Sequence, residues 1–165
     1  MIRGTSLVSY LDEGADGFRL PTEAEWEYAC RAGSTTAFSN GAITNPGSNP
    51  LDPNLDEVGW YKGNFGLPSH AVGLKEPNAW GLFDMHGNVA EWCGDAYVED
   101  LGSERVINPE ALYDTSRNRV QRGGSWSSDS ELTRSAARTA GKTSTAYIDV
   151  GFRVVANISA SASAE

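Results

Sequence analysis

The stretch Gly17-Phe18-Arg19-Leu20-Pro21-Thr22-Glu23-Ala24-Glu25-Trp26-Glu27-Tyr28-Ala29-Cys30-Arg31 carries the strongest local signal in this 165-residue chain. Thr22 stands three residues before Glu25. At that spacing a threonine hydroxyl and a glutamate carboxylate close a helix N-terminus reciprocally. Glu23 and Glu25 place negative charge at the start of the helix dipole, and Arg31 places positive charge at its end. Trp26, Ala29 and Cys30 share one stripe, and Gly33 supplies a left-handed stop. The spacing predicts a short amphipathic helix entered from an extended Leu20-Pro21.

Outward from this helix the elements are shorter. Residues 1–16 read as an N-terminal arm: Leu7, Val8, Tyr10 and Leu11 form one short element, and Asp12 to Gly17 is acidic turn material. Ser34 to Asp56 is a long loop rich in Asn, Pro, Gly and Ser, a length that is usually functional or held by a ligand. Val58 to Tyr61 reads as a short strand or turn, and Glu91-Trp92-Cys93 as a short strand or bend. Arg119 to Arg122 reads as a strand ending at Gly123-Gly124, and Gly151 to Val155 as the closing strand. The domain is expected over 17–156, with a frayed low-complexity tail over 157–165. Eighteen Gly and seven Pro break up long helices. The fold class is α+β with much irregular structure.

Composition removes several functions. A net charge of −9 is opposed to phosphate-backbone binding, which needs clustered cations, so no nucleic-acid partner is expected. It also disfavours an anionic membrane surface. No apolar run reaches the length of a membrane span, and Met1 to Thr5 lacks a signal-peptide hydrophobic stretch. The compartment stays open. Two cysteines, Cys30 and Cys93, make no disulfide scaffold and are expected as free, partly buried thiols.

Chemistry concentrates in Asp84-Met85-His86-Gly87-Asn88-Val89-Ala90-Glu91. Two carboxylates bracket a glycine turn, so side-chain and carbonyl oxygens converge either as a calcium site or as a hydrogen-bonded turn. His70 and His86, the chain's two histidines, are too few for a transition-metal site and read as loop histidines in ordinary hydrogen bonds. Arg122-Gly123-Gly124-Ser125-Trp126 has no P-loop lysine and no following helix. Its glycines read instead as letting backbone pass close to a bulky ring. Arg134, Arg138 and Arg153 are expected to pair with carboxylates.

In order along the chain, the motif at 17–29, Pro77-Asn78-Ala79-Trp80-Gly81-Leu82-Phe83-Asp84-Met85-His86-Gly87-Asn88-Val89, Glu91-Trp92, Arg122-Gly123-Gly124-Ser125-Trp126, Ala136-Ala137-Arg138 and Gly151-Phe152-Arg153 resemble the sulfatase-modifying-factor family. Its founding member is the formylglycine-generating enzyme. The resemblance implies a C-type-lectin-like fold with few regular elements and long ordered loops. It also implies calcium held by side-chain oxygens of Asp84 and Glu91 and carbonyls of Gly87 and Val89. The family's second calcium site finds no counterpart around Asn54 to Asn64.

Two departures shape the expected function. Formylglycine-generating enzymes hold copper(I) on a cysteine pair just after the Gly-Gly-Ser-aromatic motif, since copper(I) requires soft thiolates. Here that segment is Ser127-Ser128-Asp129-Ser130-Glu131-Leu132-Thr133, so copper and formylglycine generation are not expected. Family members also usually carry a longer segment before the Arg-Leu-Pro-Thr-Glu motif. The resulting expectation is a non-catalytic, calcium-stabilised binding or assembly module with a protein partner. Its contact surface would include Ser127, Ser128, Asp129, Ser130 and Tyr147. The alternatives are an oxidoreductase-type relative with altered chemistry and a retroelement-diversified ligand-binding protein.

Overall fold

A computed structural model describes residues 17–66, 68–101 and 117–157. The expected arm over 1–16 and the tail beyond Asn157 lie outside the described residues. In chain order the elements are β1 (Phe18–Arg19), α1 (Glu23–Arg31), α2 (Pro53–Val58), β2 (Ala90–Ala96), β3 (Asn118–Arg122), β4 (Arg138–Lys142), β5 (Val150–Gly151) and β6 (Val155–Ala156). A 3-10 helix at Ser130–Thr133 precedes β4.

The α1 helix forms as its sequence predicts. Thr22 Oγ1 accepts from the Glu25 N–H at 3.1 Å, and the Thr22 N–H donates to the Glu25 carboxylate at 2.8 Å. The left-handed stop begins one residue early, at Ala32 with φ 45°, and continues through Gly33 with φ 91°. Across the end of the expected long loop, and up to the Val58 expected to start a strand or turn, the structure holds a further helix, α2. Asp52 caps it by accepting from the N–H groups of Asn54 and Leu55, and Pro53 starts it with a φ already set for helix.

The main sheet runs β4-β3-β2-β5, with β5 parallel to β2 and the other neighbours antiparallel. β1 and β6 make a separate antiparallel pair, Phe18 opposite Ala156 and Arg19 opposite Val155. The expected closing strand is thus divided between two sheets. Val150 and Gly151 extend the main sheet, and Val155 and Ala156 pair with β1. Arg153, between them, turns its guanidinium to Glu91 on β2.

Two apolar clusters fill the interior: Trp26, Cys30, Met85, Cys93 and Val120, and Phe38, Leu55, Val58 and Tyr61. His86 packs edge-on against Phe38, with ring centroids 5.5 Å apart, and links them. The glycine reading holds at Gly123, where φ is 86° and a Cβ would lie 3.1 Å from the Trp26 ring. Beside it Arg122, fully buried, bonds Glu27 and the carbonyls of Ser135, Ala136 and Ala137. Arg138 pairs with Glu23 and so ties β4 to α1. Among the described residues Arg134 pairs with no carboxylate; it is exposed and donates to the Glu131 carbonyl at 2.8 Å, closing the 3-10 turn. Among the described residues no helix is long and apolar enough to cross a membrane.

Candidate functional site

The turn from Asp84 to Asn88 leaves the ordinary backbone regions three times, with φ 56° at Asp84, 102° at Gly87 and 61° at Asn88. Such a path persists only when its surroundings over-determine it. Asn88 does much of that: its N–H donates to Trp60 O at 2.8 Å, its carbonyl accepts from Trp126 N–H at 2.9 Å, and its side-chain amide bonds both backbone groups of His70. The Gly87 N–H donates to Gly123 O at 2.9 Å. One residue therefore holds Trp60, His70, the turn and the segment after β3 in register, through its backbone and its side chain together.

The calcium candidates sit around this turn. Asp84 Oδ2 accepts from the Gly73 N–H at 2.8 Å, whereas Asp84 Oδ1 is buried with no hydrogen-bond partner among the described residues. A buried carboxylate oxygen without a donor is costly, and a hard cation is one group that satisfies it. Glu91 accepts from Trp26 Nε1 at 2.6 Å and from two guanidinium nitrogens of Arg153. Those bonds use three of its roughly four lone-pair positions and leave one for a cation. Burial pulls the Arg153 pKa down, but the Glu91 carboxylate outweighs it and holds the guanidinium firmly charged. Among the described residues no three His, Cys, Asp or Glu side chains gather as a metal cluster, so any cation here leans on carbonyls such as those of Gly87 and Val89. All four candidates offer hard oxygen, the donor type that calcium takes.

The segment after Gly124 converges on a residue the sequence reading did not single out. Ser125 Oγ and Ser127 Oγ each donate to Asp149 Oδ2 at 3.0 Å, and Ser128 Oγ accepts from the Ser125 N–H at 3.0 Å. Asp129 pairs with exposed Lys62 at 3.3 Å. Ser127 is exposed and Ser128 and Asp129 are half-buried. Ser130, at 0% exposure, faces inward against the 45–47 loop and accepts no ligand from solvent. Tyr147 is engaged elsewhere: its hydroxyl accepts from the Lys142 N–H at 3.0 Å and its ring meets Trp92 edge-on. Asp149 lies 24 residues from Ser125, so no local spacing announces the pair.

Both cysteines are in the core, free and 0% exposed. Burial pushes the Cys30 thiol up to about 12 and raises Cys93 further. Cys30 Sγ lies 3.7 Å from His86 Nε2, but this is no catalytic pair. His86 Nδ1 faces the Thr133 carbonyl at 2.8 Å and so carries the proton, and Nε2 already accepts from the Ser39 N–H at 3.0 Å. Burial lowers the imidazole to about 4. The ring has no lone pair to offer the thiol. His86 thus matches the expected hydrogen-bonded loop histidine. His70 instead stacks on Trp60, centroids 3.7 Å apart, with its Nδ1 buried and unpartnered among the described residues.

Comparison with known proteins bears on the fold and the family. Two solved structures superpose well: Treponema denticola variable protein 1, with a TM-score of 0.69 and 32% identity over 87% of this chain and 49% of that one, and PvdO from Pseudomonas aeruginosa, with a TM-score of 0.69 and 29% identity over 83% and 51%. Among curated proteins, "Chaperone protein LppX" of Paenibacillus barcinonensis is 35% identical across 70% of this chain and 41% of its own length. The formylglycine-generating enzyme of Mycobacterium tuberculosis is 34% identical across 86% and 52%. The chain thus spans about half, or less, of the length of these relatives. The model of the sulfatase-modifying factor enzyme 1-like domain matches residues 4–158, and the chain belongs to that family.

Proposed function

We propose that this chain is a non-catalytic member of its family, a binding or assembly module whose loops are ordered by calcium. The observation that carries this reading is the location of its thiols. Copper(I) oxidation chemistry needs accessible thiolates, and both cysteines of this chain are sealed in the core with raised pKa values. The segment after Gly124 offers hydroxyls gathered on the Asp149 carboxylate, a surface suited to hydrogen-bonded recognition. Asp84 and the turn carbonyls would hold the calcium, with Glu91 lending its remaining oxygen position. The cation would neutralise Asp84 and satisfy its unpartnered oxygen, since Arg153 already pairs with Glu91.

The test is affinity capture of the tagged protein from its native host, with calcium and with a calcium chelator, beside an Asp149→Lys variant. A stoichiometric partner is expected with calcium, lost on chelation and lost with the variant. Recovery of the chain alone counts against the module. Bound copper or iron together with oxidation of cysteine-containing peptides restores the oxidoreductase alternative. A narrower reading, ligand binding in the manner of a variable protein, draws support from the likeness to Treponema denticola variable protein 1 and from the uninterrupted exposed run 142–148.

A further inference from the structure

The hydrogen bonds around Asp149 have one polarity. The Ser125 and Ser127 hydroxyls both donate to Asp149 Oδ2, at 3.0 Å each, and so fill the two lone-pair positions of that oxygen. The Ser128 hydroxyl lies 3.3 Å from Ser125 Oγ. Since the Ser125 proton is already on Asp149, Ser128 is the donor there, and its own proton also turns inward. Ser125 is 2% exposed, whereas Ser127 is open to solvent and Asp149 is half-buried. What the cluster offers outward is therefore acceptors: Asp149 Oδ1, which takes neither serine bond, and the remaining lone pair of Ser127 Oγ. Charge points the same way. Among the described residues no lysine or arginine pairs with Asp149, while Asp129, on the serine segment, has Lys62 at 3.3 Å.

We infer that Asp149 and Ser127 receive the ε-ammonium of a lysine carried by the partner polypeptide. The inference rests on the assembly reading above and names the group by which the partner is recognised. Phosphate, sulfate and carboxylate groups bring only acceptors and negative charge, and this surface, in a chain of net charge −9, already presents both. A cationic donor is what it lacks. The saturated oxygen then chooses between the two basic side chains. A guanidinium grips a carboxylate through two parallel bonds, one to each oxygen. Here Oδ2 is taken by the serines, so that fork has one free oxygen to meet instead of two. An ammonium is a compact charge with three rotatable donors. It needs only Oδ1, and Ser127 Oγ can accept a second of its protons.

Asp149→Asn is the diagnostic variant, because the asparagine carbonyl can still accept both serine hydroxyls while the charge is gone and an amide donor replaces Oδ1. Its melting temperature should stay with that of the parent. The full chain, labelled with nitrogen-15, is titrated with n-butylammonium chloride, methylguanidinium chloride and sodium acetate at equal ionic strength. Saturable NMR shifts at Ser127 and Asp149 are expected with n-butylammonium, about threefold tighter than with methylguanidinium, and are absent with acetate and in the variant. In native-host extract a water-soluble carbodiimide then joins the Asp149 carboxyl to any amine in contact, the water lost in forming the amide passing to the carbodiimide. An isopeptide bond from Asp149 to a lysine of the captured partner is expected, with recovery of that partner about tenfold lower for the variant. No saturation with n-butylammonium, or tighter binding of methylguanidinium, overturns the inference. A partner captured equally by parent and variant overturns it too and leaves the assembly reading standing. Saturable n-butylammonium binding with no polypeptide captured overturns both, and makes the site one for a free amine.

Discussion

His86 shows how a single residue sets the acid limit of the molecule. Its imidazole is held at about 4 by burial, against about 6.5 in an unfolded chain. Between those values the unfolded chain binds a proton that the folded one refuses. Stability is therefore intact above pH 6.5 and falls as the pH drops toward 4, by about 3 kcal/mol in all. Urea unfolding across that window should show the loss, and His86→Gln should flatten it. If that variant does not fold, an NMR titration of the parent should still place the His86 midpoint near 4; a midpoint near 6.5 would refute the argument. The same burial makes a prediction for the thiols. A thiol-specific disulfide reagent at about pH 8 should leave both cysteines of the native protein unmodified and react with both after denaturation. At this scale the sequence drew attention to the Asp84–Glu91 turn because two carboxylates bracket it locally. It could not mark out Asp149, whose role depends on a contact between distant positions.

Elements were legible where their signals were local. α1 carried its N-terminal signals, stripe and terminal charges inside a dozen residues, and it formed with both halves of the predicted reciprocal cap. α2 is six residues long, less than two turns, so it had no period to read and was lost among Asn, Pro and Ser. Its one usable signal was Asp52-Pro53. Asp52 is fully buried and accepts from Thr44, Asn45, Asn54 and Leu55. Burial alone would raise its pKa, but these donors outweigh it and hold the carboxyl low. Its contribution is present above about pH 4 and fades as the pH falls through the lowered value. Asp52→Ala should cost about 3 kcal/mol, the sum of a lost cap and stranded buried donors, in chemical denaturation. At the functional turn, a Cβ on Gly87 would stand 2.1 Å from the Trp60 carbonyl at φ 102°. Gly87→Ala should lose about 3 kcal/mol or more and any calcium-induced rise in melting temperature with it.

For the whole molecule, the order of the motifs was enough to indicate the fold, while the packing that joins its parts was not. The sequence reading expected arginine–carboxylate pairs and found two of three. It missed Arg122, the most buried, because a strand pattern does not say which polar side chain turns inward. Arg122 links α1, β3 and the approach to β4 through Glu27 and three carbonyls. Arg122→Met should cost about 3–5 kcal/mol, since it leaves buried acceptors unpaired. The two sheets should also differ in lability. β2 and β3 lie at the centre of the four-stranded sheet, whereas β1 and β6 form a separate pair of two residues each. Hydrogen exchange should be slowest at Trp92, Cys93 and Val120 and fastest at Phe18, Arg19 and Val155; uniform protection would contradict this view of the packing.

The pairing of β1 with β6 has an architectural consequence. Phe18 and Ala156, near the two limits of the described chain, are strand neighbours, and Arg19 reaches across to Asn157 at 2.9 Å. A unit whose entrance and exit share one doorway fits into a host loop without prying it apart. Geometry of this kind makes the module portable: grafted at a tight turn of an unrelated scaffold, residues 17–157 should leave the host's own melting transition nearly where it was.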